Sequence, residues 1–400
     1  MAKTEKLLHN QKKSNFIDSL LILYFCLKPI YVFSSGGLQP ADIIILLLFL
    51  FLIYIKKFKK VSKENLNKSS ELRTVIILFV VFVSWIFMSN SLSFFKLNEV
   101  VILKSTLFYI FNFLVLIVIY QYFLIYGERL FIVIYNAVIL TLFLQLSLLL
   151  LIDSGGRGVI LFNNPNQLAY FSLIMLTILL ILHEKEKFKG VTLSGVLISV
   201  FLILYSNSTS AIAASSITII LYLMFNKNIV NLFKWALIII VFSSSLVFIV
   251  ESKLIEDFDL LNNVMNRIEN KQENSKGFIE GRGYGRVFEV NSNVFWGMGE
   301  GAFDRFTYLK GAELHSTVVG TFVNYGLIGM IIFMLILWKS LIHNKSMHLD
   351  KAILFLGIFV YWLTHQGIRN SLFWVLVSMF ILYIQSIEHN KRDLIKGEKT

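Results

Sequence analysis

The sequence predicts an all-α, polytopic integral membrane protein with about twelve crossings and one large loop on the outer side. Three observations carry that reading. Hydrophobic residues make up 56% of the 400 and charged residues only 16%, against about 25% charged in soluble domains, and the mean hydropathy is +0.71. Apolar runs recur along the whole chain, most of them close to the roughly 17–25 residues that a spanning helix needs. The 37 Lys and Arg cluster mainly in alternate connections, on the side of both termini, which is the asymmetry expected of cytoplasmic segments. A soluble enzyme and a disordered chain are excluded, because the polar surface is too small. The net charge of +12 is mostly a topology signal and does not point to nucleic acid.

In order, the expected spans are 16–33, 41–55, 72–88, 105–126, 130–152 and 166–182, then 191–205, 211–225, 235–250, 316–338, 352–364 and 371–387. Only three prolines interrupt the chain, as long helices require. Lys28-Pro29 ends the first run and no small-residue cleavage site follows, so it reads as a retained helix and not a signal peptide. The single cysteine, Cys26, excludes an intrachain disulfide. No internal repeat is visible, which weighs against a transporter built from paired halves. The organisation is therefore 1–250 with nine spans, 251–315 as the extracytoplasmic loop, and 316–400 with three spans and a cytoplasmic tail.

The loop holds most of the chemistry. Leu254, Ile255, Phe258, Leu261, Val264, Met265 and Ile268 recur at helical spacing, predicting an amphipathic helix at the membrane surface. Asp257-Phe258-Asp259 fits its polar face better than a metal site, and no metal or cofactor is implied. Gly281-Arg282-Gly283-Tyr284-Gly285-Arg286 and Gly297-Met298-Gly299-Glu300-Gly301 follow. Glycine lets backbone approach an anion, and arginine offers a planar fork matched to phosphate oxygens; a flexible loop with solvated charges is the alternative. His315 ends the loop after Glu313. A histidine there can accept a proton near neutral pH, or simply cap a helix end.

From His315 the chain reads His-Ser, nine residues, then Gly326-Leu327-Ile328-Gly329. This resembles the signature of the O-antigen ligase and polysaccharide polymerase superfamily. Phe162-Asn163-Asn164-Pro165-Asn166-Gln167-Leu168-Ala169 resembles that family's Asn-Pro-Asn-x-Leu-Ala element. The run 280–286, then 297–305 and 313–317, is similar to a polymerase-type branch, as is the turn Thr364-His365-Gln366-Gly367-Ile368-Arg369. Ligases of this family commonly carry Ser-Arg or Thr-Arg at the outer start of the eighth span, where this chain has Asn207-Ser208-Thr209-Ser210-Ala211. The departure favours polymerase over ligase.

The resemblance implies a GT-C-like, metal-independent, inverting glycosyltransferase in the bacterial cytoplasmic membrane. Its donor would be a glycan on undecaprenyl pyrophosphate, its acceptor a lipid-linked repeat unit, and a chain-length regulator protein a candidate partner. His315 would be the base, with Glu300 and Glu313 in reserve. Arg282 and Arg286 would face the pyrophosphate together with Arg369 and Arg157. Asn163, Asn166, Gln167 and His365 would line the substrate site. The competing expectations are the ligase and a lipid-linked oligosaccharide flippase.

Overall fold

The computed structural model describes residues 2–33, 37–56, 62–151, 159–183, 189–225, 281–341 and 348–397. About 80% of the described residues are helical, and no strand occurs among them. The helices are α1 (Ala2–Leu27), α2 (Pro40–Lys56), α3 (Lys63–Asn67), α4 (Ser70–Leu97), α5 (Val100–Tyr126), α6 (Arg129–Leu151), α7 (Pro165–Leu182), α8 (Lys189–Tyr205) and α9 (Thr209–Phe225). After the undescribed 226–280 come α10 (Thr317–Leu341), α11 (Leu349–Ala352), α12 (Phe355–Thr364) and α13 (Ser371–Gly397). Six of these are long and apolar enough to cross a membrane: α4, α5, α6, α7, α10 and the 371–391 part of α13. The expected span at 235–250, the amphipathic helix at 254–268, Asp257-Phe258-Asp259 and Arg157 lie outside the described residues.

Local chemistry sets the helix ends. Asn98 closes α4 in the left-handed region, which asparagine tolerates, and Gly127 at φ +60° closes α5. Asn164 caps α7, its side chain accepting from Gln167 N–H, with Pro165 in the first turn; Pro there loses no intrahelical bond. The expected span 352–364 differs from expectation. It is split into α11 and the ten-residue α12, which at 1.5 Å per residue is too short to cross alone.

Burial sorts the helices. In α7 and α13, 83% and 89% of the most apolar stretch is buried, against 39% in α4. The first two are apolar all round and sit inside the bundle. On α4, Ile77, Val80, Val81, Phe87, Met88, Leu92 and Phe95 are exposed, as a lipid-facing helix requires.

Each end of the bundle is fastened by charge. At one end Arg129 bonds Asp18 (Nε to Oδ2, 2.8 Å) and Asn15. The adjoining Glu128 accepts from Lys68 and from Asn390 on α13. Residues near the two termini thus share one end, while 161–167, 281–286, 312–316 and 365–370 gather at the other.

Candidate functional site

The segment 281–316 has a core of its own, so it is not a loose loop. Val290, Phe306, Leu314 and Val323 are buried together, with Met298, Phe303, Val319 and Phe322 packed around them. Arg286 is 1% exposed. Its guanidinium donates to the carbonyls of Tyr308 (2.8 Å), Leu309 (2.5 Å) and Ala312 (2.6 Å) and lies 4.3 Å from the Phe306 ring centre. The sequence reading placed Arg286 facing a ligand beside Arg282. In the structure this guanidinium holds three carbonyls and braces the 308–312 turn.

Arg282 and His315 meet through the backbone, His315 N–H donating to Arg282 O at 3.1 Å. The Arg282 guanidinium, half-buried, donates to Thr364 O, and Tyr284 donates its hydroxyl to Leu363 O. The end of α12 is thereby tied to the glycine–arginine segment. His315 itself is exposed. Partial desolvation first, and the Arg282 charge second, hold its pKa below the ordinary 6.5. Burial also lowers the pKa of Arg282.

The 364–369 turn packs on the start of α10. Thr317 Oγ1 donates to His365 O (2.9 Å) and accepts from Gly367 N–H (2.8 Å), while Ser316 Oγ donates to Trp362 O. His365 stacks on Tyr361 with ring centres 4.6 Å apart. The Tyr361 hydroxyl in turn donates to Asn166 O (2.9 Å), a contact spanning 195 positions. Gln167 uses its side-chain oxygen to hold Asn163 N–H. Asn163, Asn166, Gln167, His365, Arg282 and His315 therefore belong to one continuous patch of contacts at this end of the bundle.

A second group lies beside it. Arg369 pairs with Glu313 and, at 3.5 Å, with Glu300. Glu300 is 1% exposed and accepts from the Tyr325 hydroxyl. Burial works against the charge on Arg369, but Glu313 and then Glu300 outweigh it and keep its pKa above that of ordinary arginine. Arg369 was expected to face pyrophosphate. In this conformation its charge is balanced by two carboxylates.

The sequence gives Thr317 no role beyond its place in the 313–317 run, and none to Tyr361 or Tyr325. The first two tie motif segments together and the third holds Glu300. A tyrosine or threonine in an apolar run gives no local sign of such a role. Among protein-family models and curated proteins, none matches the chain.

Proposed function

We propose that the chain is a polysaccharide polymerase of the O-antigen type, a metal-independent inverting glycosyltransferase acting at the outer face of the bacterial cytoplasmic membrane. One observation carries the reading. Four segments resembling motifs of that superfamily, around Asn166, Arg282, His315 and His365, lie far apart in sequence yet touch one another. About twelve crossings, with 251–315 outside and both termini cytoplasmic, complete the proposal.

The reaction joins two lipid-linked glycans. His315 takes the proton from a sugar hydroxyl of the acceptor repeat unit. The freed oxygen attacks the anomeric carbon of the donor from the face opposite the leaving group. The bond from that carbon to undecaprenyl pyrophosphate breaks, and the electron pair leaves with the phosphate oxygen. Arg282 stabilises the charge that develops there; Arg369 joins it by exchanging Glu313 for a phosphate oxygen. Holding both lipid-anchored substrates against one patch supplies the near-attack geometry.

The ligase shares this chemistry and differs in its acceptor. Deleting the gene and running surface glycan on gels separates them. Loss of long chains with single repeats retained supports the polymerase. Loss of all attached glycan points to the ligase, and an unchanged pattern removes both.

A further inference from the structure

The segment from Val294 to Glu300 does not lie on top of the bundle. It runs between α4 and α10. Trp296 stacks on Trp85 of α4, with ring centres 5.0 Å apart and planes 13° apart. Ser89 Oγ donates to Trp296 O (2.7 Å), and Asn90 Oδ1 accepts from Glu300 N–H (2.9 Å). Opposite them α10 is broken at Gly326, whose φ of 69° and ψ of −171° belong to a region that only glycine occupies readily.

The broken helix and the inserted segment complete each other. Met298 N–H donates to Val323 O (2.8 Å), Gly299 N–H to Asn324 O (2.8 Å), and Leu327 N–H to Val294 O (2.7 Å). Trp85 Nε1 donates to Tyr325 O (2.8 Å). Ser105 Oγ donates to Glu300 O, and Arg305 donates to Gly299 O. Pairing of this kind is what irregular backbone needs when no water is at hand.

Two independent rulers give the depth. On α4 no charge occurs between Arg73 and Lys96, a stretch of about 33 Å at helical rise that matches a hydrocarbon core of about 30 Å. Trp85 sits midway along it. On α10 no charge occurs between His315 and Lys339, and Gly326 and Leu327 sit midway along that stretch. Yet Val294, Phe295 and Trp296 are 37%, 57% and 43% exposed. Met88 on α4, and Leu327 and Ile331 on α10, are exposed apolar side chains as well.

We infer that residues 294–297 form a re-entrant wedge that enters the bilayer core from the Lys96 end of α4 and reaches toward its midplane through the Trp296 ring, with Val294, Phe295 and Trp296 in direct contact with lipid acyl chains. The occupant is lipid because the exposed side chains of the segment are apolar and it is held between two helices long and apolar enough to cross a membrane, whose own exposed side chains Phe87, Met88, Leu327 and Ile331 are apolar too. The inference needs no catalytic role and stands whatever reaction the protein performs.

Single cysteines in a Cys26→Ser background test it. Phe295→Cys and Val294→Cys carry a bimane dye, with Phe87→Cys as the lipid-facing reference and Lys310→Cys as the aqueous one. Each protein is reconstituted in phosphatidylethanolamine–phosphatidylglycerol vesicles containing nitroxide lipids labelled at the headgroup or deep in the acyl chain. The 294 and 295 probes should follow Phe87, quenched several-fold more by the deep nitroxide than by the headgroup one and little by iodide. Iodide quenching like that at Lys310 would place the segment in water and overturn the wedge. Quenching by neither, with energy transfer between donor- and acceptor-labelled copies, would show a second copy covering the strip and overturn the lipid contact.

Discussion

His315 and the arginines around it separate by what each touches. A base must be neutral to accept a proton, and the His315 pKa is held below 6.5 by desolvation and then by Arg282. The neutral form therefore persists into more acid solution than for a free histidine. We expect the acid limb of kcat/KM for chain extension to fall below pH 6.5, and Arg282→Gln to move it upward, since one cause of the depression is gone. His315→Ala should lower the rate by about 10²–10⁴-fold with membrane insertion intact. A purified variant extending lipid-linked repeats at the wild-type rate would reduce His315 to a helix-end residue. Lysine distinguishes the two arginines of the glycine-rich segment, because it keeps the charge but loses the fork. Arg282→Lys should impair turnover at a smaller cost in thermal stability than the same change at Arg286, whose guanidinium holds three carbonyls. Arg286→Lys should do the reverse, lowering the melting temperature in detergent, because each lost bond from a charged donor is worth about 1.5–3 kcal/mol. Stable protein with wild-type melting after Arg286→Lys would contradict the bracing role.

The elements that matter most are the broken α10 and the segment docked in its break. The pattern His-Ser-x9-Gly-x-x-Gly acquires a physical meaning here. His315 stands at the mouth, Gly326 makes the break, and Gly329 lets α10 approach Trp85, whose Cδ1 would lie 3.1 Å from an added Cβ. The contact at Gly326 is backbone to backbone. A Cβ on Gly326 would fall 2.3 Å from Phe295 O, and one on Gly297, at φ +79°, would fall 2.3 Å from Asn324 O. Neither neighbour is a side chain that can turn away. Gly326→Ala and Gly297→Ala should each cost at least about 1–3 kcal/mol from the backbone conformation alone, with the clash added. Both should appear as loss of folded protein in a detergent thermal-shift series, whereas Gly190→Ala, whose Cβ would meet open space, should be silent. A Gly326→Ala protein as stable as the parent would mean the two segments do not dock as described.

At the scale of the molecule, the proposed orientation is open to a direct check. With Cys26 replaced, Ser275→Cys should react with an impermeant thiol reagent added to intact cells and Lys399→Cys should not; the opposite pattern would reverse the topology and remove the proposed site from the outer face. Membrane class, helical composition and the position of most long helices were legible in the sequence, because they follow from apolar run length and from where charges are absent, both local properties. The residues of the patch were legible too, as motif segments around Asn166, Arg282, His315 and His365. What each of them does was not. Arg282 and Arg286 look alike in a glycine-rich run, and only the fold commits one to three carbonyls and leaves the other beside His315. Arg369 looked like a free cation until Glu300 and Glu313 closed on it from segments more than fifty positions away. The insertion of 294–300 into α10 was equally hidden, for a physical reason. Backbone groups at membrane depth must find partners wherever the tertiary structure brings them, and glycine spacing alone records that a close approach occurs without naming what approaches.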